Sequence, residues 1–183
     1  MRKLVITENI TLDGSIEMLD DWFDPSGEPD PDHLALTRRQ GQEADALLLG
    51  RRTFEDFRGY WPQQNHDTTG ITEYLDRVQK YVVSSTMTSP DWQNSTVLSG
   101  DPVEEVRALK DRPGEDIVVT GSITLCHALI GAGLVDEYRL FVYPVVQGRG
   151  RRLFPEGFEC PTLRLVEAKA FRSGITYSRY ARS

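Results

Sequence analysis

Short apolar runs alternate with amphipathic segments along the whole chain. Runs rich in Val, Ile, Leu and aromatic side chains predict strands, at Lys3–Ile10, Ala46–Leu49, Tyr81–Val83, Thr96–Leu98, Ile117–Thr120, Tyr138–Val146, Leu163–Phe171 and Ile175–Tyr180. Segments with apolar residues three or four positions apart predict helices, over Asp32–Ala44, Thr53–Phe57, Thr72–Gln79, Asp101–Lys110 and Ser122–Ala132. This alternation favours an α/β sheet covered by helices on both faces.

Local signals support several of these boundaries. Asp101 followed by Pro102 is a favoured helix start, because the Asp side chain can accept hydrogen bonds from the first free amides. Gly133 lies where a left-handed residue ends the last helix. Ser173-Gly174, between the two final strand runs, predicts a tight hairpin. The C-terminal strands are therefore expected to pair antiparallel on a mostly parallel sheet.

The same patterns predict the core. The strand residues expected to be buried are Leu4, Val5, Leu47, Leu48, Val82, Val118 and Val119. The last helix is expected to bury one apolar face, formed by Cys126, Leu129, Ile130 and Leu134. A chain of 183 residues is long enough to bury such a core, and we expect a single domain over residues 1–183.

Two segments between these elements, Asp20–Pro31 and Tyr60–Gly70, have the composition of long loops. They carry four aromatic side chains, at Trp22, Phe23, Tyr60 and Trp61. Such side chains either stack on a flat heterocycle and close over it, or pack as a small cluster beneath the loop. The sequence leaves both interpretations open.

Composition and charge narrow the function classes. A net charge of −7 argues against a nucleic-acid partner, although it allows one small anionic ligand. No apolar stretch approaches the ~20 residues that cross a membrane. Two cysteines are too few for a disulfide scaffold, so a cytoplasmic protein is expected. The scattered His33, His66 and His127 lack metal-ligand spacing, and no metal site is expected.

Three segments place polar residues at the ends of predicted strands, where α/β sheets bind ligands. Gly50-Arg51-Arg52-Thr53 combines a helix start, which offers free amides, with arginines that bind phosphate in a bidentate manner. The other two segments are Ser84-Ser85-Thr86, which offers hydroxyl groups, and Thr120-Gly121-Ser122, whose glycine lets a ligand lie close to the backbone. Together they give the candidate cofactor-binding residues Gly50, Arg51, Arg52, Thr53, Ser84, Ser85, Thr86, Thr120, Gly121 and Ser122. Solvated arginines, a capping threonine and plain polar turns remain the alternative interpretation of these segments.

Several further short motifs occur along the chain, and their order is informative. They are Asp13-Gly14, Leu134-Val135-Asp136-Glu137, Pro144, Gly148-Arg149-Gly150 and Leu153-Phe154. With the three strand-end segments, this order resembles the dihydrofolate reductase-like family, especially the reductase-domain branch of riboflavin biosynthesis, the RibD C-terminal type. The resemblance spans nearly the whole chain. It implies a three-layer α/β fold with a central, mixed, mostly parallel sheet.

The resemblance also implies a cofactor, NADPH, held by the strand-end residues. The residue chemistry agrees, because a phosphorylated ribose suits arginine and hydroxyl donors, whereas NAD sites typically place an acidic residue on the ribose. Two catalytic candidates follow from it. Asp13 matches the first-loop aspartate of the riboflavin branch, and Asp32 lies near the carboxylate of dihydrofolate reductases. A turn-closing role for Asp13 is the alternative.

These observations predict an NADPH-dependent reductase of a small pyrimidine- or pteridine-like heterocycle, assembled as a homodimer through its C-terminal strands. Two other classes remain open: a non-catalytic NADP-binding protein, and a ligand-free protein that self-associates. A pyrimidine sugar phosphate would need a second phosphate pocket. Arg149, Arg151 and Arg152 are candidates for that pocket, although solvated surface charge is the favoured interpretation.

Overall fold

The predicted strands and helices all form. A computed structural model describes residues 1–25, 27 and 30–183. Its strands are β1 (Leu4–Thr11), β2 (Ala44–Gly50), β3 (Gln79–Val83), β4 (Ser95–Leu98), β5 (Asp116–Val119), β6 (Glu137–Tyr143), β7 (Arg164–Ala170) and β8 (Thr176–Ala181). Its helices are α1 (Pro31–Gln42), α2 (Arg51–Tyr60), α3 (Ile71–Arg77), α4 (Pro102–Lys110) and α5 (Ile123–Gly131). The ends of these elements differ from the predicted ones by a turn or less.

The two expected loops fare differently. Part of Asp20–Pro31, at positions 26, 28 and 29, lies outside the described residues, and α1 already begins at Pro31. The expectation of a loop over all of Tyr60–Gly70 is wrong at its start. There α2 continues to Tyr60 and a 3-10 turn follows at Trp61–Gln63. The ring of Trp61 is buried in the core. This tertiary packing stabilises the turn, and local composition does not predict it.

All eight strands belong to one sheet, in the order β4-β3-β2-β5-β1-β6-β8-β7. Neighbouring strands are parallel from β4 to β6, whereas β8 pairs antiparallel with both β6 and β7. The hairpin at Ser173-Gly174 and the mostly parallel sheet are thus confirmed. The connections through α1, α2 and α3 lead along the sheet toward β3, whereas those through α4 and α5 lead the opposite way, toward β6. Because crossovers between parallel strands are right-handed, α1, α2 and α3 lie on one face of the sheet and α4 and α5 lie on the other.

Alternate residues of the central strands enter separate cores. Leu48 packs beneath α4 and α5, while Leu47 and Leu49 pack on the other face against Phe54 of α2. The expected apolar face of α5 and its C-terminal extension is confirmed, since all four residues are buried: Cys126, Leu129, Ile130 and Leu134. The strand residues expected to be buried are buried, with one exception. Val118 is only half-buried, because its side chain lines an open cleft.

The sheet also buries a charged cluster that the sequence patterns did not reveal. Arg139 of β6 is fully buried, and it donates to Glu137 at 2.7 Å and to Asp116 at 2.8 Å. Arg179 of β8 donates to the same Glu137 at 2.9 Å. Although burial raises the pKa of Glu137, the hydrogen bonds from Arg179 and Arg139 bring it below its ordinary value. The cluster therefore ties β5, β6 and β8 together through ionised partners.

Lys80 generates a prediction about stability and pH. This fully buried lysine donates to the carbonyls of Leu75 at 2.5 Å and Val78 at 3.1 Å, and burial lowers its pKa to about 8. An unfolded lysine titrates near 10.5, so the unfolded chain binds more protons between these two values, and stability rises with pH there. Urea unfolding at pH 8 and at pH 9.5 should show a gain on the order of 1 kcal/mol. Lys80→Met should lack that gain, and an unchanged pH dependence in this variant would contradict the assignment.

Candidate functional site

The central strand β1 has an open edge. Its first residues pair with β5, ending at Ile6 opposite Val119, whereas β1 runs on to Thr11 paired only with β6. The connection from β1 leaves toward α1 on one face, and the connection from β5 leaves toward α5 on the other. Such a point of diverging connections, at the carboxyl ends of parallel strands, is where α/β sheets bind ligands.

A large cleft opens at this point. Its volume is about 1530 Å³, and it runs between α1 and α2 and around the start of α5. Pockets for single drug-sized ligands span about 300–1,000 Å³, so this cleft has room for a cofactor and a second small molecule. Its floor includes Thr7, Glu8 and Asn9 of the open β1 edge.

Two helix starts face one end of the cleft. Neither α2 nor α5 has a side chain that caps its first amides. These amides and the positive ends of both helix dipoles therefore remain available to an anion. Arg51 and Arg52 lie in the first turn of α2 and are exposed along the cleft, with Arg51 3.6 Å from Glu55. This end can hold phosphate groups.

Ser122 joins the two helix starts. Its hydroxyl accepts the Gly50 amide at 3.0 Å and donates to the Thr120 carbonyl at 3.1 Å. Its own amide donates to the Thr53 hydroxyl at 2.9 Å. Ser122 has a left-handed backbone, with φ of +50°, which is unusual for a residue with a side chain. The bonds that hold it there fix β2–α2 against β5–α5.

The structure brings seven of the ten candidate cofactor-binding residues together. Those that line the cleft are Gly50, Arg51, Arg52, Thr53, Thr120, Gly121 and Ser122. The remaining three, Ser84, Ser85 and Thr86, follow β3 and do not line it. The buried Ser84 hydroxyl instead accepts the Met87 amide at 3.0 Å and the Thr86 amide at 3.3 Å, as a turn residue does.

The two candidate catalytic acids lie outside the cleft lining. Asp13 accepts from the Thr11 hydroxyl at 2.6 Å, from the Gly148 amide at 2.7 Å and from the Gln147 amide at 3.2 Å. These bonds, that of Thr11 foremost, lower the pKa of Asp13 to about 2, so its carboxylate stays ionised and joins two loops. Asp32 is exposed in the first turn of α1, 3.9 Å from Lys169.

Aromatic side chains line the end of the cleft beside α1. The imidazole of His33 packs against both Phe141, at 4.5 Å, and Phe171, at 5.0 Å, and it borders the cleft. Burial lowers the pKa of His33, so the ring is neutral near pH 7. Trp22 packs edge-on against Tyr143, at 5.1 Å. The Trp22 ring therefore packs within the protein, as one of the two interpretations of the loop aromatics expected. The half-buried side chains at this end of the cleft suit a flat apolar ring.

Glu8 is the main feature of the cleft that the sequence patterns missed. Its residue surface is only 2% exposed, and no ion pair with it occurs in the part of the chain that the structure describes. Burial raises the pKa of its carboxyl well above the ordinary value, against a backbone hydrogen bond from Gly121. The available signal was strand alternation, because Glu8 falls in the same alternate series as the apolar Leu4, Ile6 and Ile10.

None of the described helices is both long and apolar enough to cross a membrane. Among the same residues, no group of three His, Cys, Asp or Glu side chains could hold a metal ion.

Known proteins share this architecture. A family model described as the RibD C-terminal domain matches residues 2–177. The chain is 34% identical to the uncharacterized protein YyaP of Bacillus subtilis strain 168, over 98% of this chain and 94% of that protein. A pyrimidine reductase-like protein from Corynebacterium diphtheriae superposes with a TM-score of 0.68 at 18% identity, over 100% of this chain and 93% of that one. Dihydrofolate reductase from Enterococcus faecalis, complexed with NADP(H) and RAB-propyl, superposes with a TM-score of 0.62 at 20% identity, over 99% and 96%. The expected dihydrofolate reductase-like fold is confirmed.

Gly121 provides a test of the junction. It has φ of +56°, and an added Cβ would lie 3.0 Å from Thr53 Cγ2. Gly121→Ala should destabilise by about 1–2 kcal/mol for its backbone conformation alone, and further through this contact. Gly148→Ala is the matched control, because Gly148 has φ of +71° with nothing near its Cβ position. Urea unfolding should show a larger loss for Gly121→Ala, partly restored by Thr53→Ser. Equal losses at both glycines would contradict a tight junction.

Proposed function

Since this chain belongs to the RibD C-terminal domain family, we propose that it is an NADPH-dependent reductase of a small pyrimidine- or pteridine-like heterocycle. The observation that carries the proposal is the convergence of two uncapped helix starts and two arginines on one end of a cleft at the strand divergence. That end suits a pyrophosphate and a ribose phosphate, and the aromatic end suits a heterocycle.

The residues present fit the proposed cofactor. Gly121 has no Cβ, so the backbone at the start of α5 can lie close to a pyrophosphate. Arg51 and Arg52 offer bidentate donors to a 2′-phosphate, which NADPH carries and NADH lacks. When bound, NADPH would supply the hydride. The chain would hold it, orient it across the β1 edge and exclude water from it.

The substrate end supports a ring without a phosphate group. Two of the three arginines that could form a second phosphate pocket already have carboxylate partners: Arg149 lies 2.5 Å from Asp20, and Arg151 lies 3.1 Å from Glu17. A substrate phosphate would have to displace these carboxylates. The cleft beside α1 is lined by apolar side chains such as Phe141 together with polar ones, among them His33 and Arg38. The Arg38 guanidinium already donates to two backbone carbonyls.

For the two acids, the proposal is an indirect role. Asp13 holds the turn at Gln147 and Gly148, which continues into the wall of the cleft at Arg151. We therefore propose that Asp13 positions the loops around the substrate. Asp30 caps α1 and lines the cleft, whereas Asp32 points to its exposed side, so any contact of Asp32 with substrate would require a rearrangement of the first turn.

Calorimetric titration with NADPH and NADH tests the cofactor proposal. Arg51→Ala/Arg52→Ala should weaken NADPH binding at least tenfold, about 1.4 kcal/mol, while NADH binding stays weak and unchanged. Arg107→Ala/Arg112→Ala is the matched control, because it also removes two exposed arginines and neither of them lines the cleft. Equal weakening by both changes would point to general electrostatics instead of a phosphate site.

The same titration, combined with an assay of NADPH consumption, separates the other two classes. A protein that binds NADPH but consumes none with any pyrimidine or pteridine tested is a non-catalytic NADP-binding protein. A folded protein that binds neither nucleotide is the ligand-free, self-associating class, and the reductase proposal then fails.

A homodimer is a separate proposal. Strand β7 is a sheet edge whose side chains are exposed on both faces, including Leu165 at 53% and Val166 at 41%. Exposed apolar edge strands tend to pair with another chain. Light scattering after gel filtration should give the dimer mass for the wild type and the monomer mass for Leu165→Glu/Val166→Lys. Leu12→Glu, at an exposed leucine outside β7, should remain dimeric. A monomeric wild type would overturn this proposal.

A further inference from the structure

Glu8 lies where a ligand would cross the open edge of β1. It is opposite Leu140 of β6, two residues beyond the last β1–β5 pair, so no strand covers its other side. Strand alternation turns its side chain toward α5, beneath the Gly121–Ser122 turn, and it contributes to the floor of the cleft.

The neighbours of this carboxyl are donors. The Gly121 amide is directed at it, and Cys126 Sγ lies 3.8 Å from Oε1. Cys126 Sγ lies closer to the Gly121 carbonyl, at 3.3 Å, so the thiol is a weak partner for Glu8 in either direction. In the described part of the chain no lysine or arginine pairs with Glu8, in contrast to Glu137 with its two arginines.

A buried carboxyl without a cation is stable in its neutral form, and its pKa moves in that direction here. A neutral carboxyl carries one O–H donor as well as acceptor oxygens. The Gly121 amide satisfies an acceptor oxygen, but the described residues offer the O–H nothing stronger than sulfur. A ligand carbonyl at this point would give the O–H a stronger partner than the Cys126 sulfur.

We propose that Glu8 is a positioning residue that donates its carboxyl hydrogen to the carbonyl oxygen of the nicotinamide carboxamide. This inference rests on the proposed function, because it requires a nicotinamide cofactor in the cleft. A carboxamide presents a carbonyl acceptor beside an N–H donor, which complements the O–H and C=O of a neutral carboxyl. Such a contact would fix the rotation of the reactive ring at the β1 edge, where one face meets the substrate end.

The test compares two probes on two variants. NADPH carries the nicotinamide, and 2′,5′-ADP carries only the phosphorylated adenosine half. Glu8→Leu should weaken NADPH binding at least tenfold while leaving 2′,5′-ADP binding within twofold of wild type. Glu8→Gln should bind NADPH within about threefold of wild type, because its amide keeps both a donor and an acceptor.

The outcomes separate the proposals. Unchanged NADPH binding by Glu8→Leu overturns the role of Glu8, and equal weakening for both probes reduces Glu8 to a structural residue, which also overturns it. If the wild type binds neither probe, the proposed reductase function is overturned instead. If Glu8→Leu does not fold, Glu8→Val replaces it, since a β-branched side chain of smaller size suits a strand.

Discussion

The hydrogen bond between the Ser122 hydroxyl and the Gly50 amide holds the ligand-binding end of this fold in place. Strands β2 and β5 are paired as far as Leu48 and Val119, just before the chain enters α2 and α5. Ser122 continues this connection beyond the last pair, through Gly50 on one side and Thr53 on the other. Its left-handed backbone costs about 1–2 kcal/mol, and three hydrogen bonds offset that cost. The positive ends of two helix dipoles thereby face the same end of the cleft.

Several buried charges among the described residues follow a common rule, from which Glu8 departs. Arg139 lies among carboxylates, and Lys80 and Lys110 donate to backbone carbonyls that end helices or turns. In each case the protein supplies the partner, so the charge is compatible with burial. At Glu8 the protein supplies only donors and a sulfur atom. A buried group whose partner is to come from a ligand lacks a protein partner of its own, as Glu8 does. A buried group that serves stability is already paired within the protein, as Arg139 is.

Much of the fold was predictable because its signals are local. The cap at Asp101 and the left-handed residue Gly133 fix helix ends through contacts a few residues apart, and the structure shows both. The role of a serine after a strand is not local. Ser84 and Ser122 both follow strands, yet Ser84 closes its own turn while Ser122 reaches across to Gly50, and the difference arises from strand order. The burial of Glu8 and Arg139 depends on strand order as well, and short-range patterns do not encode it.

The loops that follow β1 and β6 are bonded to each other on the far side of the cleft. Asp13, ionised by the Thr11 hydroxyl and the amides of the next loop, ties the segment after β1 to the segment after β6. The Gln147 side chain adds bonds to the Ser15 hydroxyl at 2.9 Å and to the Trp22 indole at 2.9 Å. These contacts connect the segments that flank the open β1 edge. For the proposed reductase, a hydride donor and its acceptor must be held at van der Waals distance, and bonded segments on both sides of that edge would help to fix them there.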